Sequence, residues 1–220
     1  MGKSLFCMRW VKLILEQRRK ARLRHLRSLI NEGSDMRVLD VGCGTDGRSL
    51  ENWLPESFEI TGVDLYPESE VHIQHPNFRY YRRSAEDLSL FDDKSFDVAY
   101  SIGMMEHICE ADVLHRMAAE INRVATQFVI VVPWRYAWFE PHFKFPFFQL
   151  LPRGVQNSLT KTFNLHGLGQ RVRRDKEYIP KNYQWFSSAR WEAVYPGSKA
   201  HLLPTLEMIA LVKRSPDRLT

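Results

Sequence analysis

The chain has little cysteine: three residues in 220, with Cys7, Cys43 and Cys109 matching neither a disulfide framework nor a metal-ligand spacing. They read as free thiols in a reducing compartment. No run of 18 apolar residues occurs, so the sequence offers no membrane-spanning helix. The apolar stretch from Leu5 to Leu15 is interrupted by Arg9 and Lys12. No small-residue cleavage site follows it, and it does not read as a signal peptide. Low-complexity tracts and internal repeats are missing, and glycine and proline, 11 of each, are at ordinary levels. Acidic residues are scarce in one place only. Residues 1 to 30 hold nine Lys or Arg against the single acid Glu16, a net +8, whereas the other 190 hold 22 basic and 25 acidic side chains, a net −3. A basic arm on a mildly acidic domain argues against a broad nucleic-acid-binding face on the core.

At 44% apolar, the sequence can bury a proper core as one domain with additions. Ser4 to about Asn31 reads as one helix, stopped by Gly33. Arg9, Lys12, Glu16 and Arg19 form its polar stripe, and Phe6, Trp10, Leu13 and Ile14 lie opposite. Strand and helix patterns then alternate, which predicts a parallel sheet covered on both faces. Strands fit near Arg37–Val41, Phe58–Val63, Phe78–Tyr81, Phe96–Tyr100 and Gln127–Val132. Helices fit near Gly47–Trp53 and Glu110–Val124, with a short turn around Glu68–Ile73. Trp134 to Phe148 is crowded with aromatics and broken by Pro141 and Pro146, and an amphipathic piece follows Gly154. A short helix near Ser187–Val194 and extended runs Ala200–Leu203 and Thr205–Lys213 end the pattern. These features divide the chain into a basic helix (1–32), a core (33–132), an aromatic-rich insertion (133–185) at the carboxyl ends of the strands, and a sheet edge (186–220).

The chemistry concentrates at Val38-Leu39-Asp40-Val41-Gly42-Cys43-Gly44-Thr45-Asp46-Gly47. An apolar strand runs into a Gly-x-Gly-x-x-Gly turn, which lets a nucleotide-sized ligand approach the backbone. The acids Asp40 and Asp46 set the sign of that ligand. They would repel a pyrophosphate and attract a ligand carrying an ammonium and a sulfonium. One such pair at about 4 Å, with an effective dielectric near 20, is worth roughly 4 kcal/mol.

The same residues carry a family resemblance. Val38 to Gly47 resembles the first motif of class I S-adenosylmethionine-dependent methyltransferases, and Gly62-Val63-Asp64-Leu65 the second. Ser84-Ala85-Glu86-Asp87-Leu88 and Ser95-Phe96-Asp97-Val98-Ala99-Tyr100 are similar to the third and fourth, and the closest branch methylates small molecules, lipids and sugars. The resemblance implies an α/β, Rossmann-like sheet of seven mostly parallel strands with an antiparallel last strand. It also implies S-adenosyl-L-methionine as cofactor.

On that basis Asp40 should hold the methionyl ammonium, or cap the turn, and Gly42, Cys43 and Gly44 should line the methionyl portion. Asp64 should accept the ribose hydroxyls, with Leu65 on the adenine face. Ala85 and Glu86 should lie beside the adenine edge, Glu86 having a solvated loop position as its alternative. Ser101 should meet the methionyl part or the donor sulfur. Two departures stand out. Ser84 occupies a position where the family usually has Asp, and Val124-Ala125-Thr126-Gln127 replaces the Pro-Gly-Gly turn of many relatives.

Methyl transfer from a sulfonium is an in-line displacement that requires alignment more than an acid–base set. His107 and His142 are the candidate general bases; the alternative for each is a packing or capping histidine. No Asp/Asn or His/Cys grouping indicates a metal, and none is expected. The expected activity is methyl transfer to a small-molecule or lipid- or sugar-linked acceptor, at oxygen, with the insertion as acceptor cap. The expected location is cytoplasmic. Residues 4–30 would either pack on the domain or touch the inner membrane surface as a peripheral contact. The alternatives are an RNA methyltransferase using the basic arm and a non-catalytic protein retaining the fold. The sequence lacks the Pro-Pro-aromatic box and the Pro-Cys pair of some base-modifying enzymes, which lowers the RNA reading.

Overall fold

A computed structural model describes residues 17, 20–46 and 54–215. The helix expected at Gly47–Trp53 and most of the expected N-terminal helix lie outside the described residues.

Seven strands form one sheet in the order β3-β2-β1-β4-β5-β9-β8. They are β1 (Arg37–Val41), β2 (Glu59–Asp64), β3 (Phe78–Arg82), β4 (Phe96–Ile102), β5 (Ala125–Pro133), β8 (Lys199–Leu202) and β9 (Met208–Lys213). The first five pair in parallel, and β9 runs antiparallel to both β5 and β8. This is the expected sheet. The strand order reverses beside β1, between it and β4, which puts a switch-point crevice at their carboxyl ends.

Alternation along the strands explains why both faces are apolar. Val38, Val98, Val129 and Val131 point to one face, where residues 20–28, helical and termed α1, together with the turn after them bury Leu23, Leu26, Leu29 and Ile30. Leu39, Ala99, Phe128, Ile130 and Val132 point to the other. There α2 (Ala111–Val124) buries Leu114, Met117, Ala118, Ile121 and Val124, a spacing of three and four that makes one helical stripe. α6 (Ser188–Val194) adds Trp191 and Val194 to the same layer, its first turn capped by Ser187. Thus the continuous run Val129-Ile130-Val131-Val132 is the signature of a central strand covered twice. Within residues 20–30 the arm is part of the core. No helix among the described residues is long and apolar enough to cross a membrane.

Between β5 and α6 the chain builds a small layer of its own. It contains a two-stranded hairpin, β6 (Phe139–Glu140) and β7 (Phe145–Pro146), then α3 (Arg153–Phe163), α4 (Gly169–Arg174) and α5 (Tyr178–Asn182). Phe143 and Phe148 stack with ring centroids 4.0 Å apart, and Leu168, Val172, Ile179 and Tyr183 close a separate apolar cluster around them. The aromatics therefore divide: Tyr136, Trp138 and Phe147 stay about half exposed.

Candidate functional site

The glycine turn is built at the carboxyl end of β1 and tied to the end of β2. Gly42 and Cys43 donate their N–H groups to the Val63 carbonyl (2.9 and 3.4 Å), and Gly44 donates to Asp64 Oδ2 at 2.9 Å. Asp64 Oδ1 accepts from Leu65 N–H at 2.6 Å, so its carboxylate joins the two motifs while keeping lone pairs free for further donors. Gly42 and Gly44 have φ of +78° and +71°, a region that side chains disfavour. Their surroundings differ. A Cβ on Gly42 would lie 2.7 Å from Met104 Sδ, whereas one on Gly44 would meet nothing within 4 Å among the described residues. Gly42 thus admits the chain after β4.

Asp40 is almost wholly buried in β1, between Gly62 on β2 and Tyr100 on β4. Cys43 is buried too, its sulfur packed where Gly62 lacks a side chain. Leu65 is 65% exposed beside Asp64, and Ser101 is fully buried in β4 with no hydrogen-bond partner for Oγ among the described residues. An acid pair and an open glycine bend suit a cationic methyl donor with a ribose, in line with the motif reading.

The loop expected beside the adenine is braced by α2. Ala85 is in the core, while the Glu86 carboxylate is held by Arg116 at 2.6 and 3.0 Å. Leu88 donates its N–H to Glu120 Oε2, and its carbonyl accepts from Arg123 Nη2 at 3.0 Å. Neither sequence reading of Glu86 foresaw the Arg116 pair, because its partner lies 30 residues away.

The chain leaving β4 makes a short 3-10 turn at Met105–His107. There the structure brings the two candidate histidines together, their ring centroids 5.1 Å apart. Gln184, at the end of the insertion, fastens this turn. Its backbone N–H donates to the Glu106 carbonyl at 2.9 Å, and its side chain donates to the Met105 and Ile108 carbonyls. His107 Nδ1 lies 2.9 Å from the Asn182 carbonyl, which can only accept, so that nitrogen carries the proton and Nε2 is left with its lone pair. His142 sits in the β6–β7 turn. Its Nδ1 is 2.9 Å from Glu140 Oε1, and its Nε2 is 3.6 Å from Glu106 Oε1. Glu140 is itself fixed, accepting from Phe143 N–H at 2.6 Å and Trp185 Nε1 at 3.2 Å.

Burial lowers the pKa of His107 and pushes Glu106 up to about 7. For His142 burial acts downward, but the Glu140 hydrogen bond and the Glu140 and Glu106 charges outweigh it and leave the pKa raised. Glu106, Glu140, Tyr183 and Gln184 were missed from sequence. The adjacency Glu106-His107 was the one visible hint; the partners come from distant turns.

Residues 39–129 match the methyltransferase domain family. A 91-residue stretch is 32% identical to a ubiquinone biosynthesis O-methyltransferase of Albidiferax ferrireducens, covering 38% of this chain and 36% of that protein. The match thus spans little more than a third of that curated relative. Among solved structures, the Burkholderia thailandensis 1,6-didemethyltoxoflavin-N1-methyltransferase, with S-adenosylhomocysteine bound, superposes with a TM-score of 0.54 at 15% identity over 94% of this chain and 81% of that one. A TehB-like S-adenosylmethionine-dependent methyltransferase from Corynebacterium glutamicum gives a TM-score of 0.52 at 15% identity, over 96% and 97%. Residues 39–129, about two fifths of the chain, thus carry both the motifs and the domain match, and the sheet has the fold of those solved S-adenosylmethionine-dependent methyltransferases.

Proposed function

We propose that this chain transfers the methyl group of S-adenosylmethionine to a hydroxyl oxygen of a small-molecule or lipid- or sugar-linked acceptor. The observation that carries the reading is the titratable cluster of Glu106, His107 and His142 next to the glycine turn. Met104 abuts Gly42, and a Cβ on Gly103 would lie 3.7 Å from Glu106 Oε1, so the cluster borders the donor's seat. An acceptor lodged there would need to lose a proton as it attacks, as a hydroxyl does.

S-adenosylmethionine supplies the activated methyl carbon. The residues assigned to its binding are Asp40, Gly42, Cys43, Gly44, Asp64, Leu65, Ala85 and Ser101, with Glu86 bracing the adenine loop through Arg116. His107, neutral at physiological pH and with Nδ1–H donated away, presents Nε2 to an acceptor hydroxyl. His142 and Glu140 hold the opposite wall. The insertion then closes the acceptor side and limits water. The name of the Albidiferax relative supports oxygen as the methylated atom.

Transfer of a labelled methyl group to fractionated small molecules, lipids and RNA tests this. Label incorporated into a small or lipid acceptor as an O-methyl group, and abolished when the acceptor hydroxyl is blocked beforehand, is the expected result. Label confined to RNA or to nitrogen would overturn it.

A further inference from the structure

Glu106 is 1% exposed, and neither of its carboxylate oxygens accepts a hydrogen bond from the described residues. A buried carboxylate without donors is costly unless an opposite charge stands beside it. Three side chains converge there: Glu106, His107 and His142 each place one donor atom within 4.8 Å of the others. The sequence spacing gave no such grouping, because folding of the insertion is what brings His142 to the turn after β4.

We propose that Glu106, His107 and His142 bind a divalent transition-metal ion of the zinc type. The separations suit it. Bond lengths of about 2.0–2.2 Å put two donors on one ion roughly 3 to 4 Å apart. The Glu106 Oε1 to His142 Nε2 distance of 3.6 Å is already in that range, and one donor atom of His107 lies within 4.8 Å of both partners.

The ring tautomers suit it as well. Both histidines give their Nδ1–H to a fixed acceptor, His107 to the Asn182 carbonyl and His142 to the Glu140 carboxylate. Each therefore keeps its lone pair on Nε2, and that of His142 stands 3.6 Å from Glu106 Oε1. A carboxylate behind a ligating imidazole is the usual way of orienting such a ligand and strengthening its basicity. Two imidazoles and one carboxylate favour zinc, cobalt, iron or manganese over magnesium or calcium.

Three protein ligands leave coordination positions open, as in sites that take a further group. On the methyl-transfer reading above, on which this role rests, the open position would hold the acceptor oxygen. With the ion bound, His107 Nε2 would be a ligand in place of the base assigned above, and the hydroxyl, acidified by the metal, would release its proton to solvent.

The test uses the full chain, freed of metal with a chelator and titrated with Zn²⁺ alone and Co²⁺ alone. Calorimetry and the visible absorption of Co²⁺ should report one ion per chain, and Zn²⁺ should raise the melting temperature. Glu106→Gln and His142→Ala should abolish binding. Glu140→Gln should weaken it about 10- to 100-fold, as loss of a supporting carboxylate does. His107→Ala, at the solvent edge of the cluster, keeps the fold testable should the buried variants fail to fold, and should also lose the Co²⁺ spectrum. A chain that binds neither ion, or one whose binding survives His107→Ala and Glu106→Gln unchanged, overturns the proposal. None of these readouts needs S-adenosylmethionine, so their failure and a failure of the methyl-transfer reading are told apart.

Discussion

The two sides of the crevice, proposed above to take the methyl donor and its acceptor, are built in different ways. The donor side comes from contiguous motifs at strand ends, joined by backbone hydrogen bonds such as Gly44 N–H to Asp64. The acceptor side is assembled from side chains on three separate turns: Glu106 and His107 after β4, Glu140 and His142 in the hairpin, and Tyr183 and Gln184 after α5. A backbone-built half can be read locally, because the turn fixes its own geometry. A side-chain-built half exists only once the insertion has folded on its own core.

That contrast can be broken by substitutions confined to one half. Phe148→Ala removes one ring of the stacked pair in the insertion core and should cost about 3–5 kcal/mol. If the halves are independent, methyl transfer collapses while S-adenosylmethionine affinity, read by calorimetry, changes little; parallel losses would refute the independence. Gly42→Ala attacks the other half. It forces a side chain into a positive φ and against Met104, and should cost about 1–3 kcal/mol in thermal melting with a matching loss of cofactor affinity.

Gln184→Ala sharpens the comparison, since it cuts the two side-chain hydrogen bonds that fasten the turn after β4. A loss of about 1–2 kcal/mol is expected, with a fall in transfer rate larger than the change in cofactor affinity. Equal changes in both would place Gln184 on the donor side. Arg116→Ala should do least. Its pair with Glu86 is largely exposed, so stability should move by at most about 1 kcal/mol and cofactor affinity only slightly.

The sheet was legible because its strands are short apolar runs separated by glycine, proline and charge. β1 falls on its expected residues, and the other expected strands differ by one to three residues at their ends, most at β9, which begins at Met208 rather than Thr205. The extra length of β4 and β5 comes from Ser101, Ile102, Ala125, Thr126 and Pro133, where neighbouring strands rather than local pattern set the ends. In the insertion, composition announced aromatics but not their direction. Without a regular period, nothing in Trp134–Phe148 distinguishes Phe143 and Phe148, which stack inside, from Trp138 and Phe147, which face out. His107 and His142 were visible singly. Their meeting was not, since it depends on Gln184 and on the hairpin that carries Glu140.

Calorimetric titration of the chain with S-adenosylmethionine addresses the shared premise, with Asp64→Ala alongside as the variant that removes the carboxylate joining the two motifs. Saturable binding of one molecule, lost in a folded Asp64→Ala chain, is what the glycine bend and its acids predict. No heat with either S-adenosylmethionine or S-adenosylhomocysteine, or saturable binding of NAD in their place, would contradict the account.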